Sequence, residues 1–259
     1  MIRVIIATLF LLFQMLSAQA TRFVYEMTIK PDSTDLNYVL KEDVFLDTNG
    51  QHSIFFSENK LKKDSVFAAL RKIKSFDLSA TKDFETKVNY QIKKDYANQA
   101  VTYVNRVSQD TYEYIEHKPM QWEILADTQM IGSYAVQKAK VNYGGRVWYA
   151  WFTMDIPFPD GPYKFFGLPG LIVKAEDDKG HYSFDLRENK SIGTLAKFDS
   201  RRPPLKVKKE DYLKVKQRYD EDPIAFFNNS GKAKIIIKDS DKRKILKKEK
   251  SKNNNPIEL

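Results

Sequence analysis

Three histidines, His52, His117 and His181, are the first place to look for chemistry, because imidazole is the commonest metal ligand and the usual proton shuttle near pH 7. They are scattered, none forms a His-x-x-x-His pair, and the chain has no cysteine, so no local framework for zinc exists. His181 is close in sequence to Asp177 and Asp185, and a strand could bring them together, but a lone strand histidine more often points into solvent. No Gly-x-Ser-x-Gly turn presents a serine nucleophile, and no Gly-x-Gly-x-x-Gly or Walker-type loop cradles phosphates. Asp177-Asp178-Lys179-Gly180 is too short for a calcium loop and carries a lysine, so it reads as a turn. The neighbouring carboxylates Glu42-Asp43 and Asp220-Glu221-Asp222 lie in hydrophilic stretches, whereas general-acid work needs one of them desolvated. No cofactor is expected, and an enzyme is the last of three functional readings.

The other residues with something to offer are aromatic and cluster in one place. Trp148-Tyr149-Ala150-Trp151-Phe152 alternates like a strand, with Trp148 and Phe152 on one face and Tyr149 and Trp151 on the other. It runs into a segment, residues 157–170, that holds four of the ten prolines and three of the ten glycines, so its backbone is pinned in places and sharply turned in others. Phe158, Phe165, Phe166 and Leu168 are too apolar to hang in water, at about 1.5–3 kcal/mol for each side chain buried, and are expected to pack over the face or end of a sheet. Two readings stay open. Trp148, Trp151, Phe152, Pro162, Phe165, Gly167, Leu168, Pro169 and Gly170 form either a platform and rim for an apolar ligand or protein partner, or a piece of core under a stiff loop.

The elements that must position these residues read mainly as β-strands. Phe23, Tyr25, Met27 and Ile29 alternate with polar residues, as do Phe84, Thr86, Val88, Tyr90 and Ile92, and rougher alternation covers residues 43–46, 53–56, 100–106, 111–116 and 121–125. Gly144-Gly145 and Asp177-Asp178-Lys179-Gly180 sit between β-rich arms as hairpin turns, which predicts an antiparallel meander. Helical spacing appears over residues 60–74 and 209–219, with Pro223 past the end of the second. The expected fold is a curved, half-barrel-like antiparallel sheet with one or two short helices and a basic C-terminal extension.

The string Gly167-Leu168-Pro169-Gly170-Leu171-Ile172 is, letter for letter, the name of the GLPGLI family, exported proteins of the Bacteroidota, which the chain resembles over nearly its full mature length and most strongly from Trp122 to Leu186. Trp122-Glu123-Ile124, Ile131-Gly132-Ser133-Tyr134, Gln137-Lys138-Ala139, the Trp148 strand, Ile156-Pro157, Gly161-Pro162 and the terminal Asn255-Pro256-Ile257-Glu258-Leu259 are similar to its pattern. The chain departs from it at Ala135-Val136, where related sequences often carry a cysteine. The resemblance implies no established activity; such proteins are often encoded beside TonB-dependent outer-membrane receptors.

Export also follows from the residues themselves. Arg3, the apolar stretch 4–16 and Ser17-Ala18-Gln19-Ala20 have the three parts of a secretory signal, and the stretch is shorter than the roughly 20 residues a spanning helix needs. Cleavage near Ala20 would deliver a protein that is periplasmic or secreted and not membrane-spanning. With no disulfide available, its stability must come from a core, for which 42% hydrophobic and 13% aromatic residues suffice.

The net charge of +9 is local. Residues 21–200 hold 24 Lys/Arg and 25 Asp/Glu, whereas residues 201–259 hold 18 and 9. The run 242–252 could meet an anionic surface in a salt-sensitive way or simply be solvated, and without interleaved aromatics it argues against nucleic acid. The expected division is a signal peptide over 1–20, a β-rich GLPGLI-type domain over 21–200 and a basic extension over 201–259. The first functional expectation is a periplasmic binding or carrier protein for an apolar ligand or outer-membrane partner. The second is an accessory to a TonB-dependent transport system.

Overall fold

The computed structural model describes residues 20–75, 77, 79–117, 119–198, 202–229 and 253–259, so the leader and the basic run 242–252 lie outside the described residues. One open, curved sheet of twelve strands forms the body. In chain order the strands are β1 (Ala20–Ile29), β2 (Leu40–Thr48), β3 (His52–Ser57), β4 (Tyr90–Asp95), β5 (Ala100–Val107), β6 (Asp110–Glu116), β7 (Glu123–Ile131), β8 (Tyr134–Tyr143), β9 (Arg146–Thr153), β10 (Leu171–Asp177), β11 (Tyr182–Ile192) and β12 (Leu205–Lys206). Their order across the sheet is β12-β6-β5-β4-β3-β2-β1-β11-β10-β9-β8-β7. All neighbours are antiparallel except the short β12, which runs parallel to β6. Two meanders are therefore joined at the centre, where β1 pairs with β11 from Ala20↔Ile192 to Ile29↔Tyr182.

The alternation in β1 puts Phe23, Tyr25, Met27 and Ile29 into the main core, while Val24 faces the opposite side. That opposite face carries a smaller cluster, Val24, Phe45, Ile54 and Phe56, covered by Leu61, Leu195, Ala196 and Phe198. Leu61 belongs to helix α1 (Glu58–Lys72), whose start is fixed by Ser57, its hydroxyl accepting from the Lys60 amide. Helix α2 (Lys209–Glu221) opens with Glu210 and Asp211, charges that suit a helix N-terminus, and packs Tyr212 against Val107 and Tyr114.

Two expectations change. The described residues hold three helices, not one or two, because Asp222 caps a further short one, α3 (Pro223–Asn229), accepting from the Ile224 and Ala225 amides. The strand expected over residues 84–92 begins only at Tyr90. The Thr86 hydroxyl and the Lys87 amide instead bond Glu42 of β2, so side-chain hydrogen bonds replace a ladder there.

Candidate binding site

The segment between β9 and β10 folds onto the main-core face of the sheet, and its geometry follows from what it buries. Trp148, Phe152, Pro162, Phe165, Leu168 and Gly170 are buried, Trp151 is half-buried on the outer face, and Gly167 and Pro169 are exposed. Phe165 is the centre: its ring lies 4.7 Å from Trp148, 6.1 Å from Trp122 and 6.4 Å from Phe184, so β9, β11, the residue before β7 and the loop share one aromatic contact set. On the outer face the Lys138 ammonium sits 4.6 Å above Tyr149 and 5.4 Å above Trp151.

The Gly167–Ile172 string is legible as geometry. The Gly167 amide donates to Pro159 O, and the Gly170 amide to Leu168 O, which folds the chain tightly before it enters β10. A Cβ on Gly170 would lie 2.0 Å from Thr153 O, so no side chain fits where the loop crosses the end of β9. Ile172 O accepts from the Tyr25 hydroxyl at 2.7 Å, tying the string to the central strand.

Beneath the loop is an ion pair that sequence reasoning missed. Lys94 and Asp160 are both 0% exposed, 2.5 Å apart. The Lys94 ammonium also donates to Gly161 O at 2.6 Å and Phe165 O at 3.2 Å, and Asp160 accepts from the Tyr96 hydroxyl and the Gly161 amide. Burial pulls the Lys94 pKa below the usual lysine range, opposed by Asp160, and pushes the Tyr96 hydroxyl up. The signal was present: Tyr90 and Ile92 point inward, and period-two alternation continues to Lys94.

A second charged cluster rims the loop where residues 253–259 come back onto the sheet. The Lys164 ammonium lies 2.6 Å from both Glu116 and Glu258, and Lys209 of α2 reaches the same carboxylates at 2.7 and 2.8 Å. The hydroxyl of Tyr163, a residue held at φ 54°, donates to Glu258. Burial alone would raise the Glu258 carboxyl, but Lys164 and the hydrogen bonds from Lys164, Lys209 and Tyr163 outweigh it and hold the pKa at about 2. A carboxylate so firmly ionised holds cations and does not deliver protons. Beside it, buried Arg146 pairs with Asp177 at 2.7 Å and contacts His181 Nδ1 at 3.3 Å. The His181 amide donates to Asp177, and His52 lies 3.6 Å from Asp95. Among the described residues no group of three or more His, Asp or Glu is placed to hold a metal ion. Arg146 and Lys164 were also missed, since their partners are distant in sequence.

An open groove of about 840 Å³ runs between residues 113–117, the end of β6 and His117 beyond it, and residues 206–211, with carboxylates on both walls and lysines on the second. No helix among the described residues is long and apolar enough to cross a membrane.

A family model described as a protein of unknown function, Porph_ging, matches residues 143–174, a stretch running from the β8–β9 turn through Arg146, the aromatic strand and the loop. No curated protein matches the chain. Two crystal structures of PNGF-II are similar in fold, one in space group C2 (TM-score 0.56) and one in P21 (TM-score 0.55), each at 14% identity. The alignments cover 76% of this chain but 32% and 33% of theirs, so the chain spans about a third of the PNGF-II length.

Proposed function

We propose that the protein is an exported, non-catalytic binding module of the GLPGLI type whose occupant is another protein, and not a small apolar molecule. The observation that carries this reading is the burial of Trp148, Phe152, Phe165 and Leu168 against one another and the sheet. A small ligand would reach those rings only by lifting a loop held by the Lys94–Asp160 pair.

Exposed apolar side chains sit elsewhere: Ile124 (49%) and Met130 (62%) on the edge strand β7, and Met154 (68%) just past the end of β9. Among the described strands β7 pairs with β8 alone, and a free strand edge is a template for an added strand. The family resemblance supports a TonB-dependent outer-membrane receptor as the partner, with the run 242–252 as an anionic-surface contact. The leader supports export, and cleavage after Ala20 would take only the first residue of β1, leaving Thr21–Ile29. Within the proposed 201–259 extension, the described residues 209–221 and 253–259 pack against the proposed 21–200 domain.

The test is a photo-crosslinking residue at Met130 of the full chain in its native cells, with the exposed Lys179 turn as control position. One protein adduct of discrete mass at Met130, absent at Lys179, is expected. A stoichiometric apolar small molecule released when the purified protein is denatured, with no adduct at Met130, would overturn the proposal.

A further inference from the structure

Residues 253–259 form no strand, yet the body meets them with a built site. Asn255 is buried: its side-chain Nδ2 donates to Lys30 O at 2.7 Å, its amide to Pro31 O at 3.1 Å, and its Oδ1 accepts from Arg146 at 2.5 Å. The Tyr182 hydroxyl donates to Asn255 O at 2.6 Å, and Arg146 reaches the carbonyls of Pro256 and Ile257 at 2.7 and 3.2 Å. Ile257 packs against the main core, and Glu258 takes the two lysines and Tyr163. The Leu259 amide donates to Gly144 O at 2.7 Å, but its side chain is 67% exposed, so side-chain recognition ends at Glu258. The turn beneath has no room for side chains of its own: a Cβ on Gly144 would lie 2.8 Å from Glu258 Cγ, and one on Gly145 2.9 Å from Leu259 Cβ.

We propose that this groove is a peptide-recognition site that reads Asn-Pro-apolar-acid in an extended segment, and that the chain's own residues 253–259 are a ligand which a peptide of the same chemistry replaces in trans. The charges carry the argument. Each buried cation that holds the segment has a second partner supplied by the body: Arg146 has Asp177 at 2.7 Å, and Lys164 has Glu116 at 2.6 Å. Without the segment no buried cation is stranded, while Lys164 and Lys209 face the single carboxylate of Glu116, so the empty groove keeps one net positive charge for an incoming acid. The inference does not rest on the edge-strand reading above.

The probe is a fluorescent peptide with the sequence of residues 253–259, followed by anisotropy. In the intact chain the tethered segment competes at millimolar effective concentration, so the probe should bind weakly. To a full-length Asn255→Ala/Glu258→Ala variant it should bind at least about tenfold more tightly, and a probe carrying Glu258→Ala should lose about tenfold. A variant that keeps its circular dichroism yet binds the probe no better than the native chain overturns the proposal. Should that variant fail to fold, a protease site inserted between Lys250 and Ser251 of the native chain, cut after folding, decides. Exchange of the cut segment for the probe with the body still folded supports the proposal; unfolding on cutting, or no exchange, makes the segment an integral part of the fold and overturns it.

Discussion

The Lys164 ammonium is held in two ways at once, by the carboxylates of Glu116 and Glu258 and by the faces of Tyr103, Tyr114, Tyr143 and Tyr163, 5.2 to 5.8 Å from its nitrogen. Its partner Glu258 titrates at about 2, below the value of a carboxyl in an unfolded chain, so its stabilisation is complete above about pH 4.5 and is lost as pH falls towards 2. Glu258→Gln should therefore lower unfolding stability by on the order of 2–3 kcal/mol at pH 6, and the gap to the native chain should close between pH 4.5 and 2 in urea titrations. A gap independent of pH would show that its charge carries none of the effect. Lys94 makes the opposite kind of residue: its pair with Asp160 is wholly buried, so Lys94→Met strands a carboxylate in the core. A loss of about 3–5 kcal/mol in urea unfolding is expected, with Asp160→Asn similar.

At the scale of elements, the loop between β9 and β10 is positioned by steric exclusion as much as by burial. Gly170→Ala should cost about 1–3 kcal/mol or more, because its methyl meets Thr153 O. Gly193→Ala, where nothing lies within 4 Å, should change the thermal midpoint little, and equal effects at the two sites would refute the close-approach account. This loop was legible in the sequence because its information is local: prolines and glycines set the turns, and its apolar residues had to pack. The β1 faces, the Gly144-Gly145 turn and the 177–180 turn were legible for the same reason. Residues 84–89 were misread because their alternation satisfies a strand pattern while Glu42, far back in the chain, supplies the competing hydrogen bonds. The binding roles of Arg146, Asn255 and Glu258 were invisible because each depends on a partner in another element, and a polar residue read alone looks solvated.

At the scale of the molecule, the β1–β11 ladder joins the β2–β6 meander to the β7–β11 meander. All three tryptophans, Trp122, Trp148 and Trp151, belong to the second, whereas far-UV circular dichroism reports on both. If the central ladder makes the sheet one cooperative unit, tryptophan fluorescence and circular dichroism should give coincident urea midpoints; separated midpoints would mean that the halves unfold independently. The same central position imposes a timetable on synthesis. The ribosome delivers β1 first and β2 soon after, but the strand that must zip along the other side of β1 is among the last to emerge. For most of translation the nascent chain therefore carries a long, apolar, half-paired strand in what will become its middle. A chain that stops before Tyr182 keeps that side open to the strands of its neighbours, which makes early termination here a route to aggregates and not merely to a missing protein.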